Sequence, residues 1–110
     1  MMDKQYCLLL IRNRVKEAKS FGSPNIEERF WIPLSQELSK NIDETVDFLE
    51  TLNAEDFLYS LEVLEEIVQN TNSKKILDEV RRIGMEKFLD LQQQQEVESR
   101  IKDAACWLEE

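Results

Sequence analysis

Between Lys4 and Phe21 the apolar residues Cys7, Leu8, Ile11, Val15 and Ala18 recur every three or four positions, the spacing of a helix with one buried face. Gly22 is placed to end that helix. Ser23 and Pro24 read as an N-cap and a first helical residue, so a second helix is expected to restart at Pro24. Ile32 precedes Pro33 and is pushed away from the helical region. This predicts a break or kink, with the helix resuming through Leu34 and Leu38 and with Phe30, Trp31 and Leu34 turned inward.

Asn41 followed by Glu44 has the form of a capping box for a third helix, whose apolar stripe is Ile42, Val46, Leu49 and Leu52. Asn53 with Asp56 repeats the device for a fourth. There Phe57, Leu61, Leu64 and Val68 fall within about 60° of one another at about 100° per residue. Asn72 or Ser73 starts a fifth helix with Ile76, Leu77, Val80 and Ile83 inside. Gly84 lies on the same side, where a missing side chain lets a neighbouring helix come close. A last helix runs through Gln92 to Gln95 and on to Val97, Ile101, Ala104, Ala105 and Leu108.

Five to six helices joined by short loops predict an all-α fold, either an antiparallel bundle or a short array of helix pairs. A chain of 110 residues can bury one core, so residues 1–110 are read as a single domain. The composition agrees: two Gly and two Pro are too few for a strand-rich fold, and 34% charged residues sit among helix-forming Leu, Glu, Lys and Gln. The apolar run from Tyr6 to Ile11 is too short for a secretory signal or a membrane span. Cys7 and Cys106, with no histidine to join them at a metal, read as reduced thiols of a cytoplasmic protein.

Charge changes the picture more than composition does. The formal net charge is −9, and between Asn41 and Asn70 there are nine acids and no Lys or Arg. The rest of the chain holds 14 acids against 14 bases, so the whole net charge belongs to the third and fourth helices. Capping and the helix dipole account for Asp43, Glu44, Glu55 and Asp56. The others have no such reason, and the Asp43/Asp47 and Glu62/Glu66 pairs repel at i,i+4. Either they keep the protein soluble or they form a surface for a basic partner. On the second reading the outer face of the fourth helix presents Glu55, Tyr59, Glu62, Val63 and Glu66. Asp47 and Glu50 extend it if the two helices lie antiparallel. Tyr59 could alternatively pack against the terminal helix.

Catalytic signatures are missing. There is no histidine, nucleophile elbow, phosphate loop, CxxC pair or EF-hand loop, so no enzyme, cofactor or metal site is expected. Arg12, Arg14, Lys16, Lys19, Lys74, Lys75, Arg81 and Arg82 are read as answering the acids around them, which disfavours nucleic acid as a partner.

The stretch Asn41-Ile-Asp-Glu-Thr-Val-Asp-Phe-Leu-Glu-Thr-Leu52, then Asp56-Phe-Leu-Tyr-Ser-Leu-Glu-Val-Leu-Glu-Glu-Ile67 and Ser73-Lys-Lys-Ile-Leu77, resembles the small all-helical immunity proteins of bacterial polymorphic-toxin and contact-dependent growth-inhibition systems. The resemblance spans roughly residues 41–88. It implies a cytoplasmic protein that occludes a cognate toxin domain, often a nuclease with a basic surface; the chain itself is expected to be a monomer or weak dimer. It carries no catalytic residues with it. Two other readings stay open: a structural or adaptor protein that self-associates or docks on a scaffold, and a small helical enzyme or regulator with a buried ligand.

Overall fold

A computed structural model describes residues 1–20 and 24–109, so the predicted helix stop at Gly22 and the N-cap at Ser23 lie outside the described residues. The first helix, α1 (Lys4–Ser20), opens where Asp3 Oδ1 accepts the Tyr6 N–H at 3.0 Å. It buries Cys7, Ile11 and Val15, whereas Ala18, expected on the same face, is exposed.

The chain does not break at Pro33. A π-helical turn, Glu27–Trp31, runs straight into α2 (Ile32–Leu38), and Ile32 stays helical at φ −64° and ψ −56°. Proline lacks an N–H and its ring crowds the carbonyl four residues earlier, which here falls inside the widened turn. The π-turn thus absorbs what would otherwise end the helix. Phe30 and Leu34 are buried as expected, while Trp31 is half-buried.

The capping residues work as their chemistry requires. Asn41 Oδ1 accepts the Glu44 N–H at 3.0 Å to begin α3 (Ile42–Thr51), and Asn53 Oδ1 accepts the Asp56 N–H at 2.8 Å to begin α4 (Ala54–Ser60). The Glu44 carboxylate accepts from the Met2 backbone N–H at 3.1 Å, tying the start of the chain to α3 instead of closing a capping box. A 3-10 turn at Leu61–Val63 separates α4 from α5 (Leu64–Thr71), so the predicted fourth helix is bent. Its inward stripe holds, with Phe57, Leu61, Leu64 and Val68 all buried. Val63 is a correction: a 3-10 turn advances about 120° per residue instead of about 100°, and the extra rotation carries Val63 from the expected outer face into the core, where its exposure is 0%.

Asn72 takes the left-handed conformation at φ 51° that ends α5, and Ser73 caps α6 (Lys74–Lys87) by accepting the Ile76 N–H at 3.2 Å. The last helix is α7 (Leu91–Ala105), capped by Asp90. It lies antiparallel to α6 and touches it closely at Gly84. A Cβ built there would stand 2.9 Å from Val97 Cγ1. By contrast α3 runs in the same direction as α6. Asp43 at the start of α3 meets Lys75 at the start of α6, and Glu50 near its end meets Arg82.

One hydrophobic cluster takes side chains from all seven α segments, among them Ile11, Leu34, Leu49, Phe57, Ile67, Ile83 and Ile101. The tail after α7 is held to α5 by two Asn72–Glu109 hydrogen bonds, at 3.0 and 2.7 Å, and by Trp107 Nε1 donating to Glu65 at 2.9 Å. Among the described residues there is no strand, and no helix is long and apolar enough to cross a membrane. Both cysteines are free thiols, Cys7 buried and Cys106 exposed.

Candidate functional site

Five of the nine acids of residues 41–70 meet cations from distant parts of the chain. On α4 and the turn after it, Glu55 pairs with Lys19 at 3.0 Å, Asp56 faces Arg12 at 3.8 Å, and Glu62 pairs with Arg14. The last is a two-pronged pair. Arg14 Nε donates to Glu62 Oε1 and Arg14 Nη2 to Oε2, both at 3.0 Å, and Trp31 Nε1 donates to Oε1 at 3.2 Å. Side-chain exposures of 16% for Arg14 and 15% for Glu62 mark a mostly desolvated pair, in which Coulomb attraction is stronger than at the surface.

Tyr59 lies under the Arg14 guanidinium, 5.3 Å from carbon to ring centre, and shares a shallow cleft with Glu96 and Arg100 of α7. It is half-buried and already has a cationic partner. Glu66 is also half-buried, and its Oε2 is shielded from solvent without a hydrogen bond. The outer face read on residues 54–66 is therefore a packed seam between α1, the π-turn and the bent helix. Within it Glu55 remains exposed, Tyr59, Glu62 and Glu66 are half-covered, and Val63 is inside.

Asp47 and Glu50 do not join that seam, because α3 packs on α6. They lie on a second face. Asp43, Asp47 and Glu50 come from α3, and Lys75, Glu79, Arg82 and Glu86 come from α6, so five carboxylates surround two cations. Lys75 Nζ donates to Asp43 Oδ1 at 2.5 Å. Arg82 is shared among Glu79 at 2.6 Å, Glu86 at 3.3 Å and Glu50. Hydrogen bonding to Glu79 and then Glu50 raises the Arg82 pKa above its ordinary value, and Asp43, assisted by Glu79 and Asp47, raises that of Lys75. Lys87 adds a third cation at the end of the face, where it donates to the Glu50 and Leu52 carbonyls, so the five carboxylates exceed the cations by two.

Reasoning along the chain missed this division. The i,i+4 neighbours of an acid are legible in a sequence. Its partner 32 or 48 positions away is not. The one available signal was the basic first helix, whose Arg12, Arg14 and Lys19 all face acids of α4 or the turn after it.

Among the described residues no group of three or more His, Cys, Asp or Glu is placed to hold a metal ion. The cleft between α1 and the π-turn, about 340 Å³, is bordered by Tyr6, Leu10, Phe30 and Pro33 and by the charged residues Arg14, Glu17, Glu28 and Arg29, of which Arg29 and Glu17 are bonded to each other. No protein-family model matches the chain, and no curated protein or solved structure shows significant similarity to it.

Proposed function

We propose that this chain is a non-catalytic binding protein that covers a basic surface on a protein partner, acting as an immunity protein acts on a toxin domain. The carrying observation is the α3–α6 face, where five carboxylates outnumber three cations, Lys75, Arg82 and Lys87, on helices fixed by a common core. Such a face attracts a positive partner over a Debye length of about 8–10 Å and speeds encounter, while shape and apolar contact set the rate of release. Inhibition by occlusion needs no catalytic group in the inhibitor. It needs about 1,200–2,000 Å² of total buried surface.

The test is co-expression with the product of each gene flanking its own, followed by size-exclusion chromatography and association kinetics at graded salt. A one-to-one complex whose association slows steeply with salt is expected. A complex whose association is indifferent to salt, or none with either flanking product, would overturn this reading. The adaptor reading draws its support from the exposed apolar residues Met85, Leu89 and Leu91, and sedimentation of the protein alone separates the two: an adaptor that pairs with itself dimerises as concentration rises.

A further inference from the structure

The corner between α6 and α7 carries the two most exposed leucines of the chain, Leu89 at 96% and Leu91 at 67%, with Met85 at 56% on the last turn of α6. Scattered surface leucines are ordinary, but three large apolar side chains within seven residues at one corner make a patch.

The local backbone holds them there. Phe88 leaves the helix in an extended conformation (φ −118°, ψ 122°) and is itself buried, with its N–H bonded to the Gly84 carbonyl at 3.0 Å. Gln94 Nε2 donates to the Phe88 carbonyl at 2.7 Å, and Asp90, also extended, caps α7. Side chains alternate sides along an extended segment, so anchoring Phe88 inward sends Leu89 outward. A patch fixed in this way loses little conformational entropy when covered.

The charges around the patch say what covers it. Lys87, the cation closest in sequence, turns beneath the corner and donates to the Leu52 and Glu50 carbonyls, at 2.5 and 3.1 Å, with its ammonium 5.8 Å from the Phe57 ring centre. Glu86 and Asp90 remain at the rim, and the acidic α3–α6 face begins one helical turn away at Arg82 and Glu50. A second copy docking through the same corner would set Glu86 and Asp90 against their own copies. A partner with basic residues around an apolar depression is complementary.

We infer that Met85, Leu89 and Leu91, together with the carboxylates of Asp47, Glu50 and Glu79, form the docking surface for a basic, apolar-pocketed protein partner. This rests on the function proposed above and extends its α3–α6 face to the apolar corner between α6 and α7.

The test is an amide chemical-shift titration of the ¹⁵N-labelled full chain with a short amphipathic Leu/Lys helical peptide, and separately with its Leu/Glu counterpart. The Leu/Lys peptide is expected to shift amides within residues 43–50 and 79–91, and the Leu/Glu peptide to leave them unmoved. Leu89→Asp and Asp47→Lys should each weaken Leu/Lys binding by about tenfold, and Leu89→Asp should do so without lowering the melting temperature, since its side chain is 96% exposed. Shifts confined to residues 43–50 and 75–82 would take the apolar corner out of the docking surface and leave the proposed function standing, whereas shifts centred on α1, α4 or α5, or equal response to both peptides, would overturn both. Corner shifts that grow with protein concentration and no peptide would replace the basic partner with a second copy. Silence with both peptides at millimolar concentration would sink the basic-partner function as well.

Discussion

Glu62 shows how much a single carboxylate does here. It accepts both prongs of Arg14 and the Trp31 indole N–H, and so joins α1, the π-turn and the bend between α4 and α5. Removing it takes one counter-charge from a guanidinium of 16% exposure and the acceptor from the Trp31 indole N–H. Breaking one side of a buried pair costs about 3–5 kcal/mol, and partial exposure lowers that. Glu62→Ala is therefore expected to lose about 2 kcal/mol of unfolding free energy, read as a lower urea midpoint. Pairing it with Arg14→Ala should recover part of the loss, giving a coupling of about 1 kcal/mol or more in a double-mutant cycle. A Glu62→Ala variant as stable as the parent would mean that the seam contributes nothing and that Glu62 is available to a partner after all.

Among the elements, the α6–α7 hairpin is the tightest contact and the one most directly read from residue identity. Alanine at position 84 would gain about 1 kcal/mol in helix propensity. Its Cβ, however, would sit 2.9 Å from a methyl group of Val97, a buried, stiff side chain that cannot swing aside. Overpacking of this kind costs about 1–3 kcal/mol, so Gly84→Ala should lower the melting temperature by several degrees, about 4–8 °C per net kcal/mol. Adding Val97→Ala should make room and restore part of the lost stability relative to Val97→Ala alone. If Gly84→Ala melts above the parent, α6 and α7 are not in contact at this point. Gly84, the caps at Asn41, Asn53 and Ser73 and the buried stripes were legible because each depends on chemistry within a few positions along the chain. The bend at residues 61–63 was not, and Val63 was misplaced with it, because local periodicity carries no sign of a change in turn angle. Nor was the parallel alignment of α3 with α6, which is set by pairings such as Asp43–Lys75 and so divides the predicted acidic surface in two.

At the scale of the whole molecule, the buried Cys7 thiol and the charge network set how stability depends on pH. Burial, and then the negative charges of Glu37 and Asp3, push the Cys7 thiol from 9.0 up to about 12. The folded state then holds its proton where the unfolded chain has lost it. That contribution is complete below pH 9 and is lost as pH rises from there towards 12, at about 1.4 kcal/mol per pH unit. On the acid side, the Asp3 backbone N–H and then Lys40 hold the Glu37 carboxyl below its ordinary 4.5, so its contribution is present above that pH and fades as pH falls through the lowered value. Lys40 and Lys75, both raised, add stability that is present below 10.5 and is lost only at higher pH, which leaves the interval from pH 9 to 10 to the buried thiol. Urea unfolding across that interval should show a decline that Cys7→Ala abolishes, although Cys7→Ala is the less stable protein at neutral pH. Alkylation supplies an independent reading of the same burial. Cys106 should react at once with a thiol reagent and Cys7 only through opening of the core, so that its labelling slows as stability rises. An unchanged alkaline slope in Cys7→Ala, together with equal labelling of the two thiols in the native protein, would mean that α1 does not pack on the core.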